Sequence, residues 1–179
     1  MRVWYLSPTR STPMSDEVAC WEAEAQDATS SFHEGDNRRS GGEALSAFMD
    51  PIEDRNLCVG PLYLGPKGEY AGGVFTQVGE TVMKGDWAQL RLPKAQVRKS
   101  VGLAMRPGQG ASRFAIVASN DGSVFTELLR TEADAWPLGR LVLYPIPNAT
   151  KYRYYRLILL QGQEGCNGYL CVHRVKFFQ

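Results

Sequence analysis

The densest apolar run of the chain lies at Phe114–Ser119. Phe114, Ile116 and Ala118 fall on one side of an extended backbone, and Ala115, Val117 and Ser119 on the other. Small or apolar residues on both sides predict a strand buried on both faces. Asn120, Asp121 and Gly122 end the run with residue types that tolerate positive φ. A second run, Val124 to Leu129, follows at once, so the two predict a β-hairpin at the centre of an all-β domain.

The rest of the chain repeats this pattern. Trp87, Gln89 and Arg91 alternate with Ala88, Leu90 and Leu92, a half-buried strand that Pro93 should end. Further strands are predicted over 74–78, 97–105, 141–144, 152–160 and 170–178, and residues 79–86 read as a connection. Upstream the signals are weaker. Residues 18–32 read as a strand followed by a loop, 33–43 as exposed loop, and 43–48 as one helical turn before Pro51. Residues 51–73 hold Pro51, Pro61 and Pro66 with several glycines, and read as a long surface loop with short extended pieces. Residues 1–16 read as an extended arm. With no long helix and no repeat, the pattern predicts a single β-sandwich over 17–179, a jelly roll of about eight strands.

Composition narrows the function. Among 179 residues, 20 basic and 19 acidic side chains nearly cancel, which argues against a nucleic-acid or membrane-surface binder. No apolar run reaches transmembrane length. The first residues form no signal peptide, so a virion or cytoplasmic location is expected over classical secretion. Cys20, Cys58, Cys166 and Cys171 match no zinc spacing. Reduced thiols are the default reading, and one or two disulfides the alternative. No nucleophile, phosphate-loop or metalloprotease motif occurs, and His33 and His173 are isolated. Catalysis is not expected.

The order Ala47–Asp50, Gly85–Pro93, Phe114–Gly122, Tyr152–Leu157 and Val175–Phe178 resembles the discoidin, or coagulation-factor C-type, domain of the galactose-binding-like superfamily. The resemblance spans about residues 18–178 and implies a non-catalytic sandwich that holds ligands on loops at one end. Similar domains occur in particle proteins of large DNA viruses. The turn that is often a calcium loop in this family reads Ala47-Phe48-Met49-Asp50-Pro51 here, and Arg174 stands near the usual acidic position. Asp50, Glu53 and Asp54 are therefore poor candidates for a calcium site, and no metal or other cofactor is expected.

Sugar-binding relatives carry an arginine in the loop matching Met105–Gly110. The resemblance makes Arg106 a donor fork for hydroxyls or a carboxylate, with Gln109 adding an amide. Trp136 is a candidate stacking platform. Trp4, Tyr5 and Leu6 are candidate partner contacts on the arm. Asn148-Ala149-Thr150 fits the glycosylation pattern but reads as a chance match. Two functions follow: a structural or capsid-associated unit of a larger particle that contacts other protein subunits, or a carbohydrate-binding module using the loops around Arg106 and Trp136. The first is the primary expectation.

Overall fold

The computed structural model describes residues 57–179, with two short strands upstream at 4–5 and 27–30. It is all-β; no helix occurs among the described residues. The strands are β1 (Trp4–Tyr5), β2 (Asp27–Ser30), β3 (Leu57–Leu64), β4 (Glu69–Tyr70), β5 (Phe75–Val78), β6 (Thr81–Lys84), β7 (Asp86–Gln96), β8 (Ser100–Met105), β9 (Ala111–Ser119), β10 (Val124–Glu132), β11 (Val142–Pro145), β12 (Tyr152–Gly162) and β13 (Gly168–Phe178). They hydrogen-bond in the order β1-β11-β8-β13-β3-β4-β12-β9-β10-β5-β6, with β7 also beside β12 and β2 beside β7. Among the described residues only the β5–β10 pair is parallel.

This path folds over on itself. The β11-β8-β13 side faces the β7-β12-β9 side, and their inward residues form one core that includes Leu90, Leu103, Ile116, Leu157, Val172 and Phe177. Aromatic contacts cross the gap: Phe114 meets Tyr144 edge-on at 4.9 Å, and Tyr155 meets Phe177 at 5.3 Å between ring centres.

The predicted hairpin is β9–β10, and β9 is buried on both faces as its composition requires. Phe114, Ile116 and Ala118 enter the main core, whereas Ala115 and Val117 enter a second cluster with Val78, Met83, Phe125 and Ile158 under the β5–β6 hairpin. Arg156 of β12 also lies on this second side. Its guanidinium is 3.9 Å from the Trp87 ring centre and 4.2 Å from that of Phe125. It donates to Gln89 Oε1 at 2.7 and 3.0 Å and to Thr76 Oγ1 at 2.8 Å. Burial lowers its pKa to about 10, so it stays charged at neutral pH.

Several boundaries differ from expectation. Residues 57–64 form β3, although they sit inside the predicted loop, because strand pairing with β13 overrides the local proline and glycine signal. Thr81–Lys84 forms β6 where a plain connection was expected. β7 runs through Pro93 to Gln96, since its pairing with β12 skips from Arg91 to Gln96 and Pro93 falls in the irregular stretch. Trp4–Tyr5, within the predicted arm, pairs with Leu143 and Val142 of β11. Leu6, the 43–48 helical turn, Asp50, Glu53 and Asp54 lie outside the described residues, as does Cys20.

The expectation of reduced thiols is corrected for one pair. Cys58 and Cys171 stand opposite each other in β3 and β13 and are joined by a disulfide. Their separation of 113 residues carried no pairing signal; the register of two antiparallel strands supplies it. Cys166 is a free, buried thiol.

Candidate functional site

The connections β3–β4, β8–β9, β10–β11 and β12–β13 meet at one end of the sandwich. The β8–β9 turn carries Arg106 and Gln109. Gln109 N donates to Arg106 O at 3.0 Å, and Gly108 adopts φ +73°, which closes the turn. The turn is fastened to β13 on both sides: Arg106 N donates to Cys171 O at 3.0 Å, and Cys171 N donates to Gln109 O at 2.8 Å. The backbone is thus held, while the Arg106 side chain is exposed and makes no hydrogen bond or ion pair among the described residues. Gln109 is half-buried, its Oε1 3.8 Å from Cys171 Sγ.

Trp136 does not stand beside them as a platform. It is 3% exposed, with its ring against Phe114 and Tyr144 and its Nε1 donating to Ala111 O at 2.7 Å. This corrects the stacking expectation. The ring fills the core beneath the turn, and a Cβ at Gly110 would collide with it. The apolar body of an indole favours this place once its N–H has a carbonyl to bond.

The aromatic that is presented at this end is Tyr169, 39% exposed at the start of β13. It lies two residues from Cys171, on the outward side of a strand whose Leu170 and Val172 point into the core. Farther along β13, His173 is held below its ordinary pKa, first by burial and then by the charges of Arg106 and Arg174. It is therefore neutral at physiological pH, and Arg106 is the cation of this turn.

A shallow groove of about 460 Å³ opens at the same end, lined by Lys67, Arg113, Glu132, Asp134, Gln161 and Gln163 among others. Gln163 N donates to Gly110 O at 2.9 Å, tying groove and turn together. Arg113 and Glu132 pair at 3.2 Å across β9 and β10 with both side chains largely in solvent, a contact of small energetic weight. The lining mixes donors and acceptors of both signs, a surface suited to hydroxyl-rich ligands. Tyr169 was not singled out, because the predicted last strand begins at residue 170 and β13 begins at Gly168. Nor were Lys67, Asp134 and Gln163, because only the fold brings their connections together.

Asn148 is buried and bonded to Thr150, accepting from its N–H at 2.9 Å and donating Nδ2 to its carbonyl at 2.8 Å. This agrees with reading the glycosylation pattern as chance. Among the described residues no group of three or more His, Cys, Asp or Glu is placed to hold a metal ion.

No family model matches the sequence, and no curated protein matches it. Solved structures do share its fold. The CBM32 of AlyQ in complex with 4,5-unsaturated mannuronic acid is 17% identical at a TM-score of 0.59, over 86% of this chain and 95% of that one. The family 32 CBM from Clostridium perfringens NanJ in complex with galactose is 16% identical at 0.55, over 86% and 93%. Chitosan-binding module 1 of the chitosanase/glucanase from Paenibacillus sp. IK-5 is 20% identical at 0.57, over 88% and 97%. The chain thus has the discoidin-like, galactose-binding-like β-sandwich fold. These neighbours are carbohydrate-binding modules, and they lend the expected capsid role no support.

Proposed function

We propose that the chain is a non-catalytic carbohydrate-binding module that holds a glycan at the end bearing Arg106, Gln109 and Tyr169. The observation that carries this is the division of labour at the β8–β9 turn. Its backbone is held by β13, while an exposed guanidinium with no partner among the described residues and a half-buried amide remain available. Arg106 offers a fork of donors to vicinal hydroxyls, and Tyr169 offers a ring edge or face to the apolar side of a sugar. The fold likeness to carbohydrate-binding modules supports the same reading.

The test is retention on a glycan array. Arg106→Ala should lower affinity about tenfold, the weight of a charged hydrogen-bond pair, with the melting temperature unchanged. Undiminished retention would remove Arg106 from the site. A second reading, docking to a protein partner, draws on Phe75, Val82 and Val124, which are exposed across the paired strands β6, β5 and β10. Native mass measurement on source material tests it: a monodisperse monomer would count against that reading.

A further inference from the structure

We propose a second binding site at the opposite end of the sandwich, a lysine-lined groove that takes an acidic oligosaccharide. The groove has a volume of about 540 Å³ and is lined by Lys94, Gln96, Lys99, Lys151 and Gln179 with Ala95 and Val97. No Asp or Glu lines it. The three lysines come from three segments: the end of β7, the β7–β8 link and the β11–β12 link.

The backbones of Lys99 and Lys151 are pinned. Lys99 N donates to Phe178 O at 2.7 Å, and Ile146 N donates to Lys99 O at 2.7 Å. Asn120 Nδ2 donates to Lys151 O at 3.2 Å. From inside, Tyr155 OH donates to Gln96 O at 2.7 Å, and Gln179 Nε2 donates to Gln96 Oε1 at 3.0 Å. Lys99 Nζ is itself steered by Asn148 O at 2.6 Å. Lys94 and Lys151 have exposed side chains with no partner among the described residues. The nearby acid on the adjoining turn, Asp121, is occupied by the Ser123 and Val124 amides.

Such a surface is prepaid in backbone order and uncompensated in charge. Spaced point charges around an open groove fit spaced carboxylates along a uronate chain better than one compact anion. The Gln96 and Gln179 side chains can meet the hydroxyls between those charges. The ligand class rests on the glycan-binding reading; the site does not share its residues.

The experiment is calorimetric titration of the intact chain with long oligogalacturonate at low salt, beside a neutral oligogalactan. Lys94→Gln/Lys99→Gln/Lys151→Gln should fold with a melting temperature within a few degrees of the wild type, since all three side chains are exposed and only Lys99 gives up a hydrogen bond, to Asn148 O. It should bind oligogalacturonate roughly tenfold or more weakly, and added salt should erase the difference. Its retention on neutral glycans should not change. Absence of oligogalacturonate binding by the wild type, or equal binding by the triple variant, would overturn the proposal. So would equal affinity for an oligonucleotide of matched charge. The reading of the other end fails separately, through Arg106→Ala and neutral glycans.

Discussion

Strand β9 is entered from one turn and left by another, and the two are built oppositely. At Asn120–Gly122 the side chains serve the turn itself. Ser119 Oγ accepts from the Asp121 and Gly122 amides at 3.2 and 3.0 Å, and Asp121 Oδ1 accepts from those of Ser123 and Val124 at 2.8 and 3.1 Å. Asn120 reaches across to Lys151 and Arg153. At Arg106–Gln109 the polar side chains of the turn make none of its bonds among the described residues; its own Gln109 N–Arg106 O bond and the backbone of β13 close it, over the Trp136 ring. A turn that holds itself has spent its polar side chains. A turn held from outside keeps them for a ligand.

Four changes should break or sharpen this contrast. The largest is Trp136→Ala, which removes the ring under the Arg106 turn together with the bond to Ala111 O. It should cost about 3–5 kcal/mol in denaturant unfolding; a cost below about 1 kcal/mol would mean the ring is not core. Reducing the Cys58–Cys171 disulfide comes next, at about 2–5 kcal/mol for a closed loop of this length. Hydrogen exchange should then quicken at Arg106 and Cys171 while Gly122 and Val124 stay protected, since only the first turn hangs from Cys171. Equal loosening of both turns would erase the distinction.

Smaller effects belong to the self-held turn. Gly122 has φ +78°, and an added Cβ would lie 3.3 Å from the Tyr154 ring. Gly122→Val should therefore cost about 1 kcal/mol or more, read as a lower melting temperature. The last change concerns pH. The Ser123 amide first, then the Ser119 hydroxyl and the Val124 amide, hold the Asp121 carboxyl below its usual range. A pKa lowered on folding gives stability that is present above the unfolded pKa and lost as pH falls through the folded value. Asp121→Asn should thus flatten the acid limb of a melting-temperature profile while leaving its neutral region nearly level.

How much of this was legible in sequence depends on the range of the interactions. The β9–β10 hairpin was readable because its signals, alternation and a turn that tolerates positive φ, are local. β3 was not, because Pro61 and its neighbouring glycines mark a loop locally and only β13 makes them a strand. Arg106 was singled out through a loop that resembles one in a known family, and its side chain is exposed. Trp136 was misjudged because exposure of a loop tryptophan depends on whether a distant carbonyl, here Ala111 O, satisfies its N–H. The lysine groove was invisible for the same reason: its residues lie on segments that only the finished sandwich brings together.

Arg156 has a consequence for how the chain finds its pairing. Side chains on β12 alternate between the aliphatic main core and the Trp87–Phe125 side. A slip of one residue against β7 or β9 would exchange those faces. The guanidinium would then enter the main core without Gln89, Thr76 or either ring, while Leu157 took the polar slot. Desolvating a charge with no hydrogen bonds costs several kcal/mol, more than the usual difference between neighbouring registers of an apolar strand. Arg156 therefore acts as an indexing mark, tolerated in one alignment of the central strands and penalised in those displaced by one.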